Sequence, residues 1–195
     1  MRTDNLYALP PDLPVPVDDG AADHLPGAAV PRILLPSTAG RAVDLGDPGR
    51  PLTVVYVYPH TGRPDRDPAG GMAEWNAIPG ARGCTPQTCS YRDHHREIRD
   101  LGAEVFGLST QTTEYQQEMV ERLHVPFEVL SDADFAFASA LRLPTFAFAG
   151  TTFLKRLTLF LEKGRILDRF YPVFPPDQDA ERVLAWLRGR SGGEI

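Results

Sequence analysis

Residues 51–59 read PLTVVYVYP, a short β-branched and aromatic run without a charged side chain. Such a run is expected of a strand covered on both faces, because a half-exposed strand would alternate apolar and polar residues. Downstream, EVFGLS (104–109) reads as a second buried strand and PFEVLSD (126–132) as a third. Helical patterns separate and follow them. PQTCSYRDHHREIRDLG (86–102) has Thr85 as a candidate cap, Pro86 in the first turn where its missing N–H is harmless, and Gly102 as a stop. TTEYQQEMVERLHV (112–125) spaces Tyr115, Met119, Val120 and Leu123 for a surface helix capped by Thr112 or Thr113, and DADFAFASALRL (132–143) reads as another helix.

Toward the N-terminus, VPRILLPSTAGRAVDL (30–45) suggests a hairpin turning near Gly40, and LTLFLEKGRILDRFYPV (157–173) a second one turning at Lys163-Gly164. DQDAERVLAWLRGR (177–190) is predicted to be a closing amphipathic helix with Val183, Leu184, Trp186 and Leu187 inward. Strands alternating with helices imply βαβ units and a parallel core, to which the last hairpin adds antiparallel partners. The fold class expected is α/β, a three-layer sandwich with a central mixed β-sheet and helices on both faces.

The 195 residues suit a single domain, here 26–190, behind an extended Pro/Asp-rich arm, 1–25, ordered only if something holds it. Residues 60–83, rich in Gly, Pro and Asp, read as a long loop at the end of the 51–59 strand, anchored by Met72, Trp75 and Ile78. A formal charge of −6 argues against a general nucleic-acid surface. The N-terminal residues lack the apolar core of a signal peptide, and no segment is long and apolar enough to span a membrane, so a cytoplasmic location is expected.

The chain has only two cysteines, Cys84 and Cys89, and RGCTPQTCSYRD (82–93) holds both at the start of a helix. Helix N–H dipoles favour an anion there, and Arg82 and Arg92 add positive charge. Residues five apart on an α-helix face different ways and rise about 7.5 Å, so a disulfide between them needs the first turn to unwind. Three readings stay open from the residues alone: apolar filler of a helix–sheet contact, a metal site with His94 and His95, or a reactive thiol pair. A lone C-x₄-C suits zinc poorly, and the His pair reads as helix surface.

GCTPQTCSYRD after VVYVYP resembles the active-site segment of peroxiredoxins of the Q, or bacterioferritin comigratory protein-like, type. The resemblance runs over roughly residues 25–190 and includes GLST (107–110), PFEVLSDAD (126–134) and the basic start of KRLTLFL (155–161). It implies a thioredoxin-like fold and a peroxidase needing no cofactor or metal. Cys84 is then the peroxidatic nucleophile, Cys89 the resolving thiol that forms an intramolecular disulfide, and Arg156 the cation beside Cys84. The implied partners are hydrogen peroxide or an alkyl hydroperoxide and thioredoxin or a similar dithiol, with the protein a monomer. One departure stands out. The family pattern Pro-x-x-x-Thr-x-x-Cys is interrupted: Pro59 matches its proline, but Ala81 stands three residues before Cys84 and the 60–83 insertion intervenes. Thr61 is the candidate to supply the missing hydroxyl. The alternatives are a thioredoxin-fold disulfide oxidoreductase, which would be expected to carry C-x-x-C, and a metal-binding thiol protein without peroxidase activity.

Overall fold

The computed structural model describes residues 5–65 and 67–191, so residues 1–4 of the expected arm lie outside the described residues. In chain order the elements are β1 (Leu34–Pro36), β2 (Ala42–Asp44), β3 (Thr53–Val57), α1 (Met72–Asn76), α2 (Cys84–Asp100), β4 (Glu104–Ser109), α3 (Thr113–Leu123) and β5 (Val129–Ser131). There follow α4 (Ala136–Leu141), β6 (Thr145–Phe148), β7 (Thr151–Leu154), β8 (Leu157–Glu162), β9 (Arg165–Phe170), a 3₁₀ turn (Pro176–Gln178) and α5 (Asp179–Ser191).

The central sheet has the order β5-β4-β3-β8-β9. β3 runs parallel to β4, and β4 to β5, while β8 is antiparallel to both β3 and β9. β3 is buried along its whole length, as its uncharged sequence requires. Its side chains alternate between two cores. Val54, Tyr56 and Tyr58 join Tyr91 and Ile98 of α2, Met119 and Leu123 of α3, and Val183, Leu184 and Leu187 of α5. Val55 and Val57 join Phe137 and Leu141 of α4, Leu35 and Val43 of the β1–β2 hairpin, and Ala22 and Leu25 of the arm. The layer opposite the three long helices is therefore only partly helical.

Three local expectations change. Helix α2 begins at Cys84 rather than behind a Thr85 cap, because Gly83 is its N-cap with φ 106°. A Cβ there would stand 2.4 Å from Pro176 Cγ and 2.8 Å from Leu9 Cδ2, so the cap needs glycine for both its dihedral and its contacts. The insertion is not all loop, since Met72–Asn76 forms one short helix that buries Trp75. The hairpin β6–β7, which turns at Ala149 (φ 47°) and Gly150 (φ 76°), was not predicted.

The described part of the arm lies on the domain. Leu6, Ala22 and Leu25 are buried, Arg82 Nη2 donates to Asn5 O at 2.7 Å, and His24 Nε2 lies 2.9 Å from Leu141 O. Asp19 is the central clasp, accepting from Lys155 Nζ at 2.6 Å and Tyr171 Oη at 2.7 Å. These two donors hold the Asp19 carboxyl well below the usual carboxylate range. A depressed carboxyl stabilises the folded contact above its unfolded pKa of about 4 and loses that effect as pH falls. The arm is thus expected to stay clasped at neutral pH and loosen in acid. In limited proteolysis at pH 7, Asp19→Ala should be cleaved within residues 5–25 much faster than the native protein. Equal cleavage rates would show that the apolar contacts alone hold the arm.

Candidate active site

The site forms where β3 ends, α2 begins and the β7–β8 connection passes beneath them. Strand β3 delivers Tyr58 and Pro59 to the C-terminal end of the central strand, with Tyr58 N bonded to Leu108 O at 3.1 Å. The chain then leaves through the insertion and returns at Gly80, Ala81 and Arg82, just before Cys84. Arg156 reaches up from the start of β8 and is buried. Its Nη2 lies 3.2 Å from Gly80 O, 3.2 Å from Ala81 O and 3.1 Å from Arg82 O. The same nitrogen is 3.2 Å from Cys84 Sγ, while Nη1 donates to Gln87 Oε1. One guanidinium thus shapes the chain before the cysteine and points positive charge at the sulfur.

Cys84 is the first residue of α2, where backbone N–H groups lack carbonyls of an earlier turn and the helix dipole favours an anion. Its Sγ also lies 3.7 Å from Ala81 O, the donor direction when it is a thiol. The sulfur is nearly covered but faces a cavity of about 220 Å³. Leu6 of the arm, Met72 and Trp75 of the insertion, and His60, Tyr115 and Arg63 form much of its wall. His60 is packed among Tyr115 at 5.2 Å, Phe153 at 5.8 Å and Trp75 at 6.2 Å between ring centroids. Arg63 stacks on Tyr115 at 4.5 Å.

Cys89 sits one and a half turns further along α2, half-buried, and both thiols are free. Burial pushes the Cys89 thiol up, with Arg92 working against that rise. The first turn of α2 is held by Gln87, by Tyr91 Oη bonded to Asp179 Oδ2 at 2.8 Å, and by Tyr56 Oη bonded to Thr88 Oγ1 at 3.3 Å. With the helix intact, the two sulfurs face different directions.

Of the five sequence-named residues, the structure brings Cys84 and Arg156 into contact, with Cys89 on the same helix. Pro59 is buried at the strand end. Thr61 is placed elsewhere: its hydroxyl and its backbone N are each 2.9 Å from Gln111 Oε1. It is fully buried and does not line the cavity, so its hydroxyl ties the start of the insertion to the end of β4 rather than reaching the sulfur. The methyl group of Ala81 leaves no hydroxyl on the other side either. Among the described residues, no three His, Cys, Asp or Glu side chains converge to hold a metal ion.

Sequence reasoning missed Gln87 and Asp179, and of the cavity wall it singled out Met72 and Trp75 but assigned no place there to His60 or Tyr115. A signal for the first existed: Gln87 and Tyr91 lie four apart, polar groups on the face that α2 buries.

Residues 25–184 match the protein-family model described as Redoxin. Chloroplastic peroxiredoxin Q of Oryza sativa subsp. japonica is 31% identical over 164 residues, covering 83% of this chain and 66% of the rice protein. The chain therefore spans about two thirds of that relative's length. Peroxiredoxin Bcp of Escherichia coli K12 is 26% identical over 165 residues, covering 83% of this chain and 94% of that one. The crystal structure of peroxidoxin BcpB from Mycobacterium tuberculosis matches with a TM-score of 0.67 at 25% identity, over 85% of this chain and 98% of that one. With its mixed sheet, its two-cysteine helix and the arginine beneath it, the chain belongs to the redoxin family, in the peroxiredoxin Q/Bcp branch.

Proposed function

We propose that this chain is a thiol-dependent peroxidase for hydrogen peroxide and organic hydroperoxides, working through Cys84 and Cys89. The observation that carries the reading is the 3.2 Å contact between Arg156 Nη2 and Cys84 Sγ at a helix start that opens on a cavity. In the first step the Cys84 thiolate attacks one peroxide oxygen and the O–O bond breaks. The sulfur becomes a sulfenic acid, and the departing oxygen takes a proton and leaves as water or an alcohol. Arg156 and the first N–H groups of α2 stabilise the negative charge that moves from sulfur to the leaving oxygen.

In the second step the first turn of α2 unwinds and the Cys89 sulfur displaces the hydroxyl of the sulfenic acid. An S–S bond forms and water leaves. An external dithiol, with thioredoxin as the expected donor, then reduces the disulfide, returning both thiols as its own pair is oxidised. Pro59 fixes the exit from β3, and Thr61 supports the site through Gln111. The largely apolar wall built by Leu6, Met72 and Trp75 suits an organic group on the peroxide. Among the described residues no helix is long and apolar enough to cross a membrane. A reducing compartment, the cytoplasm, suits a reactive pair of free thiols, and the family resemblance is the ground for expecting a monomer.

The test is peroxide consumption by the reduced protein with excess dithiol and no added metal. The native chain is expected to consume peroxide catalytically, and Cys84→Ser to fall to the rate of the dithiol alone. Retention of more than about a tenth of the activity in Cys84→Ser would remove Cys84 from the role of nucleophile.

A further inference from the structure

Asp179, the first residue of α5, is fully buried beneath the first turns of α2. Its Oδ2 takes three hydrogen bonds, from Gln87 Nε2 at 2.8 Å, Tyr91 Oη at 2.8 Å and Thr158 Oγ1 at 2.7 Å. Its Oδ1 has no partner among the described residues, so a proton placed there would be a buried donor without an acceptor. Three donors gathered on one oxygen suit the anion. Burial pushes the Asp179 carboxyl up, and the bonds from Thr158, Gln87 and Tyr91, together with the Arg156 charge, work against that rise.

Among the described residues no carboxylate is hydrogen-bonded to Arg156. Its direct acceptors are the carbonyls of residues 80–82, Gln87 Oε1 and Cys84 Sγ, and of these only the sulfur can carry a charge. That charge is not permanent: the sulfur is anionic as thiolate and neutral as thiol or disulfide. A buried cation without a counter-charge is costly. Gln87 stands between the two ions, accepting from Arg156 and donating to Asp179.

We propose that Asp179 is a positioning residue acting through Gln87: it is the standing counter-charge of Arg156 and sets how strongly that arginine holds the Cys84 thiolate. The inference rests on Cys84 being the residue that reacts with peroxide. If Asp179 loses its charge, Arg156 is balanced by the thiolate alone, and the thiolate becomes more favourable than the neutral forms of the same sulfur. Oxidation then persists to lower pH, the more stabilised thiolate attacks more slowly, and the disulfide becomes easier to reduce.

The other titratable groups near the sulfur are Tyr56 and Tyr58, reached from β3, Arg82 beside it, and His60, Arg63, Asp67 and Tyr115 around the cavity. Around Asp179 they are Tyr91 and Arg156. Asp179→Asn leaves all of them in place and keeps an oxygen for the three donors. Stopped-flow oxidation by hydrogen peroxide across pH, and a thiol–disulfide redox titration, are the measurements.

In Asp179→Asn the pH of half-maximal oxidation is expected to fall by about one unit, a tenfold change in the thiol–thiolate balance. The plateau rate should drop about threefold and the Cys84–Cys89 couple become about 30 mV less negative, the equivalents of that tenfold change. Leu184→Ala is the packing control, since Leu184 is buried on the same helix. It should lower thermal stability while leaving the pH midpoint and the potential where they are. The proposal is overturned if Asp179→Asn matches the native protein in both readouts, or if Leu184→Ala moves them as far. If the native protein is not oxidised at Cys84, it is the peroxidase reading that fails. Should Asp179→Asn not fold, infrared spectra of the native protein decide. No buried carboxylic-acid C=O band should be present at neutral pH in either the reduced or the oxidised protein, and such a band in either state would overturn the standing charge.

Discussion

Replacing Arg156 with methionine is expected to slow oxidation of Cys84 by about 100- to 1,000-fold, the loss typical of removing one preorganised donor from a developing oxyanion. Two effects add. The thiolate loses the Arg156 guanidinium, bonded to it at 3.2 Å, and the leaving oxygen loses its charged donor. Methionine fills much of the same volume without a donor, so three carbonyls and Gln87 Oε1 also lose their partner. Leaving buried acceptors unsatisfied costs about 1–3 kcal/mol each at most, so the variant should melt lower as well. The kinetic effect is separable: rates are compared at a temperature where circular dichroism shows both proteins folded. A rate within about threefold of native would mean that Arg156 holds the loop and does not assist the chemistry.

Cys89→Ser is expected to separate the two halves of the cycle. Cys84 should oxidise at close to the native rate, because Cys89 lies five residues on, on another face of an intact α2. The sulfenic acid should then persist, accumulate dimedone adduct, and pass to sulfinic acid with further peroxide. Turnover with thioredoxin should stop. In the native protein, burial pushes the Cys89 thiol up, so it is protonated at neutral pH. The resolving step is therefore expected to quicken as pH rises through and above the ordinary thiol range, since the thiolate is the attacking form. Normal thioredoxin-dependent turnover by Cys89→Ser would assign resolution to another reductant.

Local pattern made most of the fold legible. β3 showed itself through its uncharged β-branched run, and the β8–β9 turn through Lys163-Gly164, both at positive φ. The β6–β7 hairpin escaped because its turn uses Ala149 at φ 47°, where a sequence signal would be Asn or Gly. Helix α2 began earlier than expected because Gly83 is fixed by Pro176 and Leu9, contacts far away in sequence. At the site, the cysteine pair was visible as chemistry, but Arg156 lies 72 positions beyond Cys84 and entered only through the family resemblance. Asp179 looked like an ordinary acidic residue at a helix start; its contact with Gln87 spans 92 positions. Thr61 had the right side chain, but Gln111, at the end of a neighbouring strand, claims its hydroxyl.

The most direct test of a two-cysteine peroxidase is intact-mass and peptide mass spectrometry of the reduced protein after one equivalent of hydrogen peroxide. The expected result is rapid loss of two hydrogens, located to a Cys84–Cys89 bridge that can form only after the first turn of α2 opens. Both thiols remaining free, while peroxide is untouched, would contradict the peroxidase assignment and return the pair to a structural place in the helix.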